Sequence, residues 1–317
     1  MTIDASLMFM YTGFFLSAFA VTSNDSIQTL GTFLSSNYTM KWYKLWAAAS
    51  AVLVATLVYS WLVYGGDVSY GRLTSIPRPE VFQWYHAAAP IMLLILTRFG
   101  IPVSTTFFVL SFFTEAPVLQ KMLVKTVAGY ALGAVVAYVV WSILVRFINE
   151  HEPVTIQSHI RRWRIAQWAL TGWLWSIWLA HDMANIAVYL PRQMSFQHLL
   201  FALAVTVSSL GIIFYRRGGE IQKIILSKSG ARYIRSATLI NLVYGSVLLA
   251  LKEYSHFPIS TTWTFVGLLC GRELAVFQLH NKGKPLRSVF PVLTKDFFKI
   301  TIGLSLSIAL AFMLVNE

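Results

Sequence analysis

Apolar residues fall in runs of about twenty, the length at which an α-helix crosses about 30 Å of hydrocarbon, and the runs come twice in the same order. The first run covers residues 6–21 and stops at Thr22-Ser23-Asn24-Asp25, after which a short helical piece is predicted to residue 37. A second run covers 42–64, and a polar loop follows over 65–79 with Gly65-Gly66, Pro77 and Pro79 as breakers. Two short apolar pieces, 87–97 and 105–113, flank Arg98-Phe99-Gly100-Ile101-Pro102. Neither is long enough to cross alone, so together they predict a re-entrant hairpin. A long run over 122–147 closes this half.

The second half repeats the order. A run over 165–180 meets a break at His181-Asp182, and a short piece follows to residue 190. Then come a run over 196–215, a basic loop over 216–235, and half-helices at 237–251 and 261–270 around Pro258. A last run covers 296–315. Two polar phrases sit at matched places. Ile101-Pro102-Val103-Ser104-Thr105-Thr106 is echoed by Phe257-Pro258-Ile259-Ser260-Thr261-Thr262, 156 residues on, and Asn24-Asp25 by His181-Asp182, 157 residues on. The chain thus reads as a first repeat over 1–148, a cytoplasmic linker over 149–163 and a second repeat over 164–317.

Composition agrees with burial in lipid. Apolar residues make up 56% and charged ones 12%, outside the range of soluble domains. The alternating ten-residue segments of a membrane β-barrel are missing. The start, MTIDASLMFM, lacks a basic region and reads as a retained span rather than a cleaved leader. With Cys270 as the one cysteine, no internal disulfide and no cysteine metal site is expected.

The net charge of +12 is explained by topology rather than by nucleic acid. Three crossings per half plus a hairpin that enters and leaves on one side make an odd number, so the second copy is inverted. Loops at 37–44, 146–164, 216–235 and 272–295 then share one side and hold seventeen of the 25 Lys and Arg. The other side holds five: Arg72, Arg78, Lys121, Lys125 and Arg192. The remaining three (Arg98, Lys252, Lys299) lie in or at the ends of apolar segments. This positive-inside bias makes the first side cytoplasmic and both termini extracytoplasmic, in a plasma (inner) membrane. The fold class is an all-α integral membrane protein of two inverted-topology repeats. Each repeat has three spanning helices, the first broken, plus a re-entrant helical hairpin.

Polar groups at membrane depth are costly unless used, so the doubled phrases are the candidate site. Proline suits a first helical turn, and the Ser-Thr-Thr that follows lies at a helix N-terminus with unpaired N–H groups. Ser104, Thr105, Thr106, Ser260, Thr261 and Thr262 together make a candidate anion site at two facing hairpin tips. The plain alternative is that these hydroxyls only cap or bond back to carbonyls. Asp25 and Asp182 fall at helix breaks among oxygen-bearing neighbours, including Asn24, Gln28 and Asn185. Such hard oxygen ligands suit Na⁺, and a carboxylate can equally carry a proton. A bound cation would let a carboxylate tolerate an anion nearby, which is a physical reason for symport. The plain alternative is helix capping. Cation-binding candidates are therefore Asp25, Asp182, Asn24 and His181, with Asp25 and Asp182 as Na⁺ ligands; Gln28 and Asn185 join the substrate set. His181 can ligate, shuttle a proton or simply hydrogen-bond. Arg98 can attract an anion or satisfy the carbonyls of its own half-helix, and the second is the simpler role. Lys252 and Glu253 can pair locally, and His256 carries no assigned role. The tryptophans and tyrosines at 42, 43, 61, 64, 84, 85, 163 and 168 read as interfacial anchors.

These paired motifs resemble those of the inorganic phosphate transporter (PiT) family, whose pattern is close to G-A-N-D-V-A-N-A in each half with P-V-S-T-T-H later. Here the segments read TSNDSIQT and LAHDMANI, so Asn24-Asp25 and Asp182 with Asn185 match. Gln28 stands where that family has Asn, and so does His181. Phe107 and Trp263 replace the family His after each Ser-Thr-Thr. The resemblance covers both halves and implies cation-coupled phosphate transport, Na⁺ ahead of H⁺, with sulfate or another small oxyanion as the alternative. It implies that Asp25 and Asp182 bind the coupling cation and the two Ser-Thr-Thr runs the anion. The lipid bilayer is the expected surrounding, no cofactor is implied beyond the coupling ion, and homodimers are common in such folds although no interface signature is visible here. Two other classes were weighed. An intramembrane aspartyl protease would carry Tyr-Asp and Gly-x-Gly-Asp, which are not the contexts of Asp25 and Asp182. A non-transporting sensor would be expected to append a signalling domain.

Overall fold

In the computed structural model the described residues are 3–98, 104–114, 116–144, 160–218, 233–254 and 259–280, with isolated positions 301, 305 and 309. Every regular element among them is helical. Helix α1 (Ile3–Ala20) runs into a π-helical turn (Val21–Asp25) and on into α2 (Ser26–Ser36). The break expected at 22–25 is thus a wide turn of helix rather than a loop. A π-turn releases carbonyls from the ladder, and local hydroxyls take them. Thr22 Oγ1 donates to the Ala18 carbonyl at 2.8 Å, and Ser26 Oγ to the Thr22 carbonyl. Helices α3 (Trp42–Val63), α4 (Trp84–Arg98), α5 (Thr105–Leu110) and α6 (Ala116–Leu144) complete the first half.

The second half opens with α7 (Ile160–Asp182), a turn at Met183 and the short α8 (Ala184–Ala187). Then follow α9 (Phe196–Tyr215), α10 (Ile234–Tyr254) and α11 (Thr261–His280). Helix α7 begins inside the segment read as linker, carrying its basic turn Arg161-Arg162 and Arg164 within the helix. Among the described residues, five helical stretches are long and apolar enough to cross a membrane: Ala5–Asp25, Trp42–Val63, Pro117–Leu144, Phe196–Tyr215 and Ile234–Leu251. The chain is a multi-pass helical membrane protein.

The second hairpin is longer than its sequence suggests. Helix α10 has 21 residues where a half-helix over 237–251 was expected, and α11 has 20 where 261–270 was expected. The polar pair Arg272-Glu273 looks like the end of an apolar run. Yet Arg272 is buried inside α11, over the Trp141 ring and donating to Ser236 Oγ at 3.3 Å. A paired arginine does not stop a helix, so Arg272 is no loop charge. The breaks at Gly100–Pro102 and Pro258, His256, most of the linker and of loop 216–235, and the span at 296–315 lie outside the described residues.

Matched elements pack alike. Helix α1 packs on α4 as α7 does on α10, and α1 packs on α9 as α7 does on α3. Between α6 and α11 small residues let backbones touch. Gly129 and Gly133 on α6 meet Thr264 and Leu268 of α11, and Gly267 and Gly271 on α11 meet Tyr130 and Ala134 of α6, a pair of Gly-x-x-x-Gly stripes. A Cβ on Gly267 or Gly271 would run into the Tyr130 and Ala134 carbonyl oxygens.

Candidate functional site

The two repeated phrases meet in the interior. Ser104, Thr105 and Thr106 at the start of α5 are buried, as are Ser260, Thr261 and Thr262 at the start of α11. Both serines act as matched caps. Ser104 Oγ accepts from the Phe107 amide at 3.3 Å, and Ser260 Oγ from the Trp263 amide at 3.3 Å. Each cap satisfies one first-turn N–H. The tips touch where Thr106 Oγ1 donates to the Ile259 carbonyl at 3.4 Å. Thr126 of α6 steadies the second tip by accepting the Ser260 amide at 3.2 Å. Tyr244 of α10 donates to the Thr261 carbonyl at 3.1 Å.

Each broken helix bonds to the hairpin tip of the opposite half. Gln28 Nε2 donates to Thr262 Oγ1 at 2.9 Å, and Asn185 Nδ2 to Thr106 Oγ1 at 3.3 Å. The same amides reach the aspartates of their own half: Asn185 to Asp182 Oδ1 at 3.1 Å, Gln28 to Asp25 Oδ1 at 3.5 Å. Gln28, at the position of the family asparagine, thus makes the bonds that Asn185 makes in the second half. Thr105 and Thr262 lie beside Asp25, Thr261 beside Asp182, and the two carboxylates sense each other.

Six oxygens fall in two matched sets. Asp25 Oδ2, Gln28 Oε1 and Thr105 Oγ1 are buried without a hydrogen-bond partner, and so are Asp182 Oδ2, Asn185 Oδ1 and Thr261 Oγ1. The two triads are matched residue for residue. A buried orphan acceptor costs about 1–3 kcal/mol. Six in two matched sets mark this as the candidate site. Carboxylate, amide and hydroxyl oxygens are the ligand set of a hard cation.

The remaining candidates have definite places. Asn24 Nδ2 donates to Asp25 Oδ1 at 2.9 Å. His181 sets Nε2 on the Leu248 carbonyl of α10 at 2.9 Å. Phe107 and Trp263, which replace the family histidines, are buried apolar packing. Glu253 is exposed on the last turn of α10. One residue escaped the sequence reading. Arg72 comes from the loop between α3 and α4, is 2% exposed, and donates from Nε to the Ala180 carbonyl at 2.7 Å. Burial pulls its guanidinium down to about 10, with the charge of Asp182 opposing that shift. The available signal was a lone arginine between Gly71 and an apolar residue, and that is a weak one.

The class that this architecture defines is a multi-pass helical membrane protein with crossed bonds between broken helices and hairpin tips. No family model matches the chain, and no curated protein sequence does. A solved structure described as "the sodium-dependent phosphate transporter" has the same fold: TM-score 0.62 at 15% identity, over 98% of this chain and 99% of that one. The fold that the motifs' resemblance implied is the fold found.

Proposed function

We propose that the chain is a secondary active transporter of inorganic phosphate, working by alternating access and driven by a cation, Na⁺ ahead of H⁺. The observation that carries this reading is the pair of matched oxygen triads beside the two Ser-Thr-Thr tips. Carboxylate, amide and hydroxyl oxygens gathered beside each aspartate suit a dehydrated Na⁺; a single carboxylate would be enough for a proton. The cations in turn offset the carboxylates, so that an anion can approach the hydroxyls and first-turn N–H groups. Asp25 and Asp182 hold the cations. Gln28 and Asn185 share their oxygens with the cations while their N–H groups order Thr262 and Thr106. The serine and threonine hydroxyls and backbone amides hold the oxyanion.

The acceptor-rich lining favours phosphate over sulfate, because hydrogenphosphate can donate a hydrogen bond and sulfate has no proton to give. A protease reading would require two carboxylates poised on a water, whereas here each carboxylate is tied to an amide of its own half. The loop charges support inverted halves with both termini extracytoplasmic. The deciding measurement is uptake of radiolabelled phosphate into proteoliposomes holding the purified full-length chain. Uptake rises with an inward Na⁺ gradient and is not competed by sulfate. Uptake indifferent to Na⁺ and to pH gradients would refute coupling, and equal competition by sulfate would refute the substrate assignment.

A further inference from the structure

The loop between α3 and α4 is built to send one cation inward. Gly65 and Gly66 turn the chain off α3 at φ 60° and 97°. The Asp67 carboxylate then gathers the Ser69 and Gly71 amides, each at 2.7 Å, closing the loop on itself. Gly71, at φ 73°, reverses the chain, and Arg72 follows directly into the interior. Its Nε ends on the Ala180 carbonyl, two residues before Asp182, and the Asp182 charge acts on it.

The first half meets the same need differently. At its break Thr22, Ser23 and Ser26 give hydroxyls to released carbonyls. The matched residues in the second half are Leu179, Ala180 and Met183, which have no hydroxyl to give. Arg72 takes the open carbonyl instead, and in doing so brings a full positive charge. The side chains that bond to Asp25 are neutral hydroxyls and amides; the groups acting on Asp182 include a guanidinium. The two oxygen triads therefore look alike in ligands and differ in field.

Resting on the carrier reading above, we propose that Arg72 is a fixed internal cation that makes the two oxygen pockets unequal, weakening monovalent-cation binding at Asp182 relative to Asp25. Arg72 is a positioning and specificity-determining residue, acting through the Ala180 carbonyl and through charge. The coupling ion loads first at Asp25 and only at higher concentration at Asp182. Two buried carboxylates and one guanidinium leave a single negative charge, which one monovalent cation neutralises before the oxyanion arrives.

Equilibrium binding of ²²Na⁺ to the purified full-length chain tests this. In Asp25→Asn protein the remaining Na⁺ binding reports the Asp182 pocket, and adding Arg72→Gln tightens it about tenfold, as removal of a nearby like charge requires. In Asp182→Asn protein the same change leaves Na⁺ affinity within about twofold. Arg72→Lys keeps the charge and keeps the weak affinity in the Asp25→Asn background. If Arg72→Gln does not purify as a folded protein, Arg72→Met carries the same expectation. Na⁺ affinity unmoved by loss of Arg72 in Asp25→Asn protein, or moved equally in both backgrounds, overturns the proposal, as does Lys behaving like Gln. A wild-type chain that binds no Na⁺ overturns the carrier's cation and this inference together. A wild type that binds Na⁺ while the Arg72 variants change nothing overturns this inference alone.

Discussion

At the scale of single residues, the site is defined by what its atoms have left over. Asp25 and Asp182 each spend one oxygen on an amide and hold the other free. Asp25→Asn and Asp182→Asn keep the shape and remove the charge, so Na⁺-driven phosphate uptake is expected to fall at least about tenfold, read as initial rates in proteoliposomes. Ser104→Ala with Ser260→Ala removes both caps. Anion affinity is expected to drop, read as the phosphate concentration at half-maximal uptake, and an unchanged value would show that the hairpin tips do not hold the anion. The bond between Gln28 and Thr262 is tested by a double-mutant cycle of Gln28→Ala and Thr262→Val. Interhelical bonds of this kind in membranes couple by about 0.6 kcal/mol, which unfolding midpoints in mixed detergent can resolve. Most of these residues were legible beforehand, because a polar phrase repeated inside apolar sequence can be seen without a structure. Arg72 was not. Sequence reading sorts a loop arginine by side of the membrane, and only the folding of the loop over the Ala180 carbonyl reveals that it is buried.

At the scale of helices, breaks were easier to read than lengths. The polar run at 22–25 announced an interruption but not its form, since a π-turn and a loop need the same residues. The arms of the second hairpin were read short because Arg272 and Glu273 resemble the end of an apolar run. Their burial or exposure is decided by neighbours such as Trp141 and Ser236 that lie far along the chain. The contact between α6 and α11 depends on glycines with no room for a side chain. Gly271→Leu is expected to destabilise by about 1–3 kcal/mol through overpacking, and Gly267→Ala to destabilise as well, in reversible unfolding by denaturing detergent. Gly172→Ala is the control, because its added Cβ would meet Val52 Cγ2 at an ordinary 3.6 Å. Stability there should hold or rise slightly, since alanine favours helix over glycine. Equal losses at Gly172 and Gly271 would mean that close helix approach is not what the glycines provide.

At the scale of the whole molecule, charge and duplication meet. With Arg272 moved from a loop into a helix, sixteen basic residues on one side against five on the other still predict the same orientation. An alkaline phosphatase fusion to either terminus is therefore expected to be active, and a green fluorescent protein fusion to be dark. Bright fluorescence at one terminus only would break the inverted count. The pairing of Gln28 with Thr262 and of Asn185 with Thr106 carries a further consequence, and it concerns ancestry. Each oxygen triad is drawn from one half, while its amide reaches across to steady the tip of the other. An ancestor of half the length is therefore expected to have needed a second copy to steady its tip. Once both copies share one chain, a residue such as Arg72 can serve one copy alone.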